Sequence, residues 1–329
     1  MTFAWVDERG PLRRLALFRV LVGVLLLRHT LPFLERSRFF ADRFYVPYLD
    51  ALPVPDRTLY FAMLLGICVA GVLVTMGLFT RVALAAALVL GTWQFLLNQL
   101  FYSNNRIFLL LCVLVLLVSP SHRALSVDAW RRKESPAAEG PLWTQTVLRG
   151  QASLLYLASG GSKLVDSDWI GGWVLWTRLR IVFGGSHPLV MALSTFKPLV
   201  GASTVFTEMF LGVALWIPKL RRLALWIGFC FHSLIEAMFS VHVFSYLMLG
   251  TYLLVASGAQ RNRVLRFSAG SPWQEALVSI LATLDWLGKL DLRPSDRLEV
   301  VGPDGAVHRG AQVPRRGGDY LLVNDRKVK

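Results

Sequence analysis

Thr58-Leu-Tyr-Phe-Ala-Met-Leu-Leu-Gly-Ile-Cys-Val-Ala-Gly-Val-Leu-Val-Thr-Met-Gly-Leu-Phe79 runs for 22 residues without Asp, Glu, Lys, Arg or His. As a helix, rising 1.5 Å per residue, a stretch of this length crosses a hydrocarbon core of about 30 Å. Similar runs lie on either side of it: Leu15 to Phe33, Val82 to Phe101, Ile107 to Val118, Leu142 to Ser159, Phe196 to Ile217, Leu223 to Phe239 and Phe244 to Ala256. These predict an all-α integral membrane bundle of about eight transmembrane helices. Strand-like alternation, the mark of a membrane barrel, is absent.

Composition agrees. The 329-residue chain is 54% hydrophobic and 17% charged, with mean hydropathy +0.50. A soluble domain carries about 25% charged residues. The net charge of +14 would suggest nucleic acid in a soluble protein. Here Arg and Lys sit mainly in loops and tail, so anionic lipid headgroups are the expected partners, with no nucleic acid. The arm before the first span, Arg81, the 121–141 loop, the 219–222 turn and the tail share one side, which predicts a cytoplasmic N-terminus and tail. Four arginines in the 34–57 loop pull the other way. Its Phe39, Phe40, Phe44, Tyr45 and Tyr48 suit the membrane interface. The first apolar run lacks a small-residue cleavage site after Arg13 and Arg14, so it is expected to remain as a span.

Three regions follow: a basic arm (1–14), the transmembrane domain (15–258) and a small C-terminal α+β tail (259–329). In the tail, Trp273 to Leu290 reads as one amphipathic helix. Leu298 to Val301 and Ala306 to His308 read as a hairpin turning at Asp304-Gly305, and Tyr320 to Val323 suggests another strand. Residues 170–195, with Trp173, Arg178 and Arg180, fit an interfacial or re-entrant segment. Gly66 and Gly71 would allow a close helix contact. Gln94 and Asn98, spaced i, i+4, suit an interhelical hydrogen bond.

Ionisable groups inside apolar segments mark the candidate site. Tyr156-Leu-Ala-Ser-Gly-Gly-Ser-Lys163-Leu-Val-Asp166-Ser-Asp168-Trp169 ends one span. Glu208 lies within another, and His232 with Glu236 shares a face of a third. A desolvated lysine is a usable base, and histidine can steady a developing anion. The plainer reading makes Lys163 snorkel, Asp166 or Asp168 cap the next helix, and Glu208, His232 and Glu236 polar contacts between helices. Cys68, Cys112 and Cys230 read as small core residues, and the scattered histidines predict no metal site. Phosphate-loop, dinucleotide and His-Glu-x-x-His motifs are absent.

Three stretches carry a resemblance. Asn104-Asn105 with Ser126-Val127-Asp128, Gly161-Ser-Lys163-Leu-Val-Asp166-Ser-Asp168-Trp169, and His232 with Phe239-Ser240 and Phe244-Ser-Tyr246-Leu-Met-Leu are similar to segments of the vitamin K-dependent γ-glutamyl carboxylase family. Its bacterial relatives are the horizontally transferred transmembrane domain (HTTM) proteins. The resemblance implies a quinol-dependent, lyase-type enzyme that consumes a reduced vitamin K-like quinone with O2 and CO2 and modifies a peptide. It assigns Lys163 as the base and His232 as the anion partner. Asp166, Asp168, Trp169, Asn105, Glu208 and Glu236 would support them, and Phe239, Phe244 and Tyr246 would contact the quinone. Two positions depart from the family pattern. The family's catalytic lysine falls on Leu164, so Lys163 is turned from it by about 100°, and the family's histidine after Asn-Asn is Arg106. The alternatives are a non-catalytic lipid- or quinone-binding partner in peptide maturation or export, and then a small-solute transporter, for which no inverted repeat speaks.

Overall fold

The computed structural model describes residues 9–37, 46–134, 139–239, 241, 243–255, 263–268, 271–284, 290–302 and 307–309. Four helices make the first half: α1 (Arg13–Arg36), α2 (Arg57–Met76), α3 (Thr80–Leu96) and α4 (Asn104–Val118). Glycine lets α1 and α2 touch, since a Cβ on Gly23 would meet the Thr75 backbone nitrogen at 2.6 Å and one on Gly71 would meet the Gly23 carbonyl at 3.1 Å. Small residues allow such backbone approach between membrane helices. Leu15, Phe18, Val22, Leu64, Ile67 and Leu109 fill the shared core.

After the short α5 (Val127–Arg131) come α6 (Trp143–Leu164), α7 (Ser167–Ile170), α8 (Trp173–Phe183), α9 (Pro188–Thr195), α10 (Lys197–Ala214), α11 (Pro218–Phe239) and α12 (Val243–Val255). Among the described residues, α1, α2 and α11 are long and apolar enough to cross a membrane. A fourth span results if α9 and α10, bent by 83° at their junction, are taken as one. By length and composition three to four spans stand out, fewer than the expected eight or so. The shortfall has local causes. The run to Phe101 breaks after Leu96, where the Asn98 side chain accepts from the Leu100 backbone at 3.0 Å. Helices α4 and α12 are 15 and 13 residues long. Helix α6 is 22 residues long but carries Gln145, Arg149, Gln151 and Lys163. The apolar side chains Phe61, Leu65, Val69, Val72 and Met76 form an exposed stripe along α2. With the long apolar helices, this suggests membrane insertion.

The loop after α4 is pinned to the bundle. Arg19, fully buried, donates to the carbonyls of Ser121 at 2.8 Å, Ala124 at 3.2 Å and Leu125 at 2.5 Å. Asp128 accepts from the backbone nitrogens of Phe79 at 3.0 Å and Thr80 at 2.9 Å, and from the Thr80 hydroxyl at 2.8 Å. The Ser-Val-Asp element thus caps α3, whose first amides would otherwise lack partners. Burial pushes the Asp128 carboxyl up, but the bonds from Thr80 and Phe79 and the nearby Arg132 charge outweigh it and hold it below the usual carboxylate range.

The described end of the basic arm meets the described end of the 121–141 loop, where β1 (Arg9–Pro11) pairs antiparallel with β2 (Glu139–Pro141). In the tail, β3 (Arg263–Phe267), α13 (Pro272–Leu284), β4 (Leu290–Pro294), β5 (Glu299–Val301) and β6 (Val307–Arg309) follow in order. The sheet order is β4-β3-β5-β6. The expected hairpin is β5 with β6. Leu290, expected to end a helix, instead opens β4, which runs parallel to β3 across the α13 crossover. Leu265, Phe267, Val278 and Val300 form the tail's own core. Arg13 donates to the Val278 carbonyl at 3.1 Å and ties the tail to α1. The Asp304-Gly305 turn, Tyr320–Val323, Phe39, Phe40, Phe44, Tyr45, Ser240 and His242 lie outside the described residues.

Candidate functional site

Helix α6 does not end at its two glycines. It runs on to Leu164, and Gly160 is the contact with α10, where a Cβ would meet Met209 Sδ at 3.0 Å and Glu208 Cβ at 3.2 Å. Gly212 on α10 repeats the device against Leu157, 2.7 Å from its would-be Cβ. This close crossing brings Lys163 and Glu208 together. Lys163 Nζ donates to Glu208 Oε1 at 2.9 Å and Oε2 at 2.8 Å. It also donates to Ser159 Oγ, which in turn donates to Glu208 Oε1 at 3.2 Å. The amine lies 4.8 Å from the centre of the Trp169 ring, within cation–π range.

Trp169 is held by the corner between α7 and α8. Gly172 there has φ +73°, and a Cβ would lie 1.9 Å from the Lys197 carbonyl oxygen. Gly201 of α10 packs equally tightly on the Trp169 carbonyl. Only glycine at both positions lets the corner sit on the start of α10.

The acids expected to position the Lys163 amine, Asp166 and Asp168, do not bond it; its partners are Ser159 and Glu208. Asp166 accepts from the backbone of Asp168 at 2.8 Å and Trp169 at 3.3 Å, capping α7. Both Asp166 and Asp168 are exposed. A short acidic side chain ahead of a helix is best placed for this role. Glu208, 45 residues further along the chain than Lys163, supplies the partner carboxylate.

Lys163, Glu208, Trp169 and Phe239 line a cavity of about 880 Å³ between α8, α10 and α11, its apolar wall supplied chiefly by α8 and α11. His232 does not line it. That ring is fully buried, with Nε2 2.5 Å from the Tyr156 hydroxyl, and Tyr156 in turn bonds the Tyr252 hydroxyl. Gly228, one turn before His232, leaves room for Tyr252, whose hydroxyl would lie 2.0 Å from a Cβ there. Phe244 packs on the His232 ring with centroids 5.9 Å apart. Tyr246 instead faces Arg28, 5.0 Å from its ring centre, and Glu236 is half-buried one turn past His232. Neither Phe244, Tyr246 nor Glu236 lines the cavity. Asn105 Nδ2 donates to the Val241 carbonyl at 3.5 Å, and Val241 is part of the cavity rim.

The single pocket expected to hold amine, acids and imidazole is therefore two neighbouring sites. One is the cavity with Lys163 and Glu208; the other is a buried Tyr156–Tyr252–His232 cluster. Tyr156 belongs to the face of α6 that carries Lys163, two turns away. Ser159, Tyr156 and Tyr252 escaped the sequence reading; their one signal was hydroxyls at helical spacing in apolar runs. Leu164, at the place of the family's catalytic lysine, is 56% exposed. Arg106 is buried in the other half of the bundle, where its Nε donates to His29 at 3.0 Å.

Geometry and sequence together define an apolar helical bundle with an ion-paired cavity. Residues 11–258 match the HTTM domain, and the chain belongs to that family. No solved structure matches it.

Proposed function

We propose that this HTTM protein holds a membrane amphiphile in the cavity beside Lys163. One observation carries the reading: a lysine–glutamate pair is set into a mainly apolar wall around about 880 Å³. Cavities of this size with few polar groups suit a chain-bearing small molecule, its polar end placed by those groups. In the bilayer, α3, α4, α6 and α12 complete a bundle of about eight crossing segments, the shorter ones accommodated by local thinning. The basic arm and tail face the cytoplasm under the positive-inside rule. Amphiphile binding of this kind would serve a partner in peptide maturation or export.

A second reading is favoured by the Lys163 amine reaching the cavity. In it the occupant is a reduced vitamin K-like quinone, and Lys163 removes a proton from its hydroxyl before O2 and CO2 are consumed. A base needs a free lone pair directed at substrate, so this chemistry requires Glu208 to release the amine.

Solvent extraction of the protein purified in mild detergent tests both readings. Wild type is expected to yield a bound lipid or quinone near one per chain. The Lys163→Met/Glu208→Leu variant should retain about tenfold less, the loss of roughly 1.4 kcal/mol of anchoring. Epoxide formed from added reduced quinone and lost in Lys163→Met would establish turnover. Wild type that carries no amphiphile and binds none sinks the proposal.

A further inference from the structure

We infer that the occupant carries an anionic, phosphate-bearing head placed by Arg178; this rests on the amphiphile reading above. Helix α8 presents Val174, Leu175, Arg178 and Leu179 to the cavity, so the guanidinium shares a face with apolar groups. The charges on the wall do not cancel. Lys163 is matched by Glu208 at 2.8 Å. Among the described residues no carboxylate pairs with Arg178. One positive charge is left over on the wall, carried by an exposed guanidinium that can meet a ligand without breaking a contact of its own. A neutral quinone does not answer it, whereas a phosphate does, because the planar guanidinium fork matches two phosphate oxygens.

The hydroxyls on the same wall narrow the head further. Ser203 Oγ and Thr204 Oγ1 donate to the Val200 carbonyl at 2.9 and 3.0 Å, and Thr207 Oγ1 donates to the Ser203 carbonyl at 2.7 Å. All three line the cavity with their protons committed to the helix. Each hydroxyl has one donor, so towards the cavity these oxygens act as acceptors. A head joining phosphate to free hydroxyls would answer Arg178 and offer donors to these acceptors on the same cavity wall. The occupant is thus an anionic phospholipid of the phosphoglycerol type.

The protein in nanodiscs of equimolar phosphatidylglycerol and phosphatidylcholine, with matched acyl chains, is released and its retained lipid read by native mass spectrometry. Wild type is expected to retain phosphatidylglycerol over phosphatidylcholine by about tenfold. Arg178→Gln should still retain lipid but without preference, and Arg178→Lys, which keeps charge without the fork, should lie between. Arg178 is exposed, so these variants leave the core untouched. Equal retention of the two lipids by wild type, or an undiminished preference in Arg178→Gln, overturns the inference. So does displacement of phosphatidylglycerol by millimolar inorganic phosphate, which would make the site one for free anion. Retention of neither lipid by wild type instead overturns the amphiphile reading beneath it.

Discussion

Glu208→Leu alone is expected to cost about 3–5 kcal/mol of stability, because it strands the Lys163 charge among apolar side chains. The pair's side chains are only 14% and 9% exposed, so water cannot take over the carboxylate's role. Lys163→Met should cost a similar amount by leaving Glu208 without its main donor. Combining the two removes both charges and leaves apolar groups of comparable volume. The double variant should therefore recover most of the loss, as buried ion pairs replaced whole by apolar residues do. Thermal unfolding in detergent of wild type, both single variants and the double gives the coupling. Additive losses would mean that the two groups act separately and that the pair is not what closes α6 on α10.

Asp128→Asn is the second large effect, and it lies outside the membrane segments. The carboxylate takes three hydrogen bonds at the start of α3. Asparagine keeps one oxygen, brings an amide that cannot accept, and gives up the charge that strengthens the bonds; a loss of about 2–3 kcal/mol follows. The sign with pH follows from the lowered carboxyl in the folded chain. Its contribution is complete above the unfolded-state value of about 4 and fades as pH falls through the folded-state value. Wild-type melting temperature should thus drop on acidification through this range. The part owed to this residue should be missing in Asp128→Asn, which melts lower at neutral pH. A variant melting like wild type at pH 7 would remove the cap from the account.

Much of the bundle was open to reading from the chain. Helix α2 declares itself because 22 residues without Asp, Glu, Lys, Arg or His leave no soluble alternative. The Asp166 cap could be read too, since acid before a short helix is a local pattern. What stayed hidden was tertiary. Gly160-Gly161 looks like a helix end on propensity, yet Gly160 is where α10 presses in. The Lys163–Glu208 pair joins residues 45 positions apart, and no local pattern ranks Glu208 above the nearer Asp166. His232 and Lys163 are both unusual for apolar segments, and that shared oddity suggested one site. Only the packing of Tyr156 and Tyr252 around the imidazole separates them. Strands β3 and β4 were missed because a parallel pair needs its crossover helix to be recognised as such.

The central claim is that Lys163 and Glu208 together anchor an amphiphile between α8, α10 and α11. A density map of the protein in native-lipid nanodiscs tests it most directly. The account predicts elongated density in that cavity with its polar end on the wall that carries Arg178 and the joined Lys163 and Glu208 side chains. A cavity closed by its own apolar side chains, with Lys163 swung into water and parted from Glu208, would contradict it.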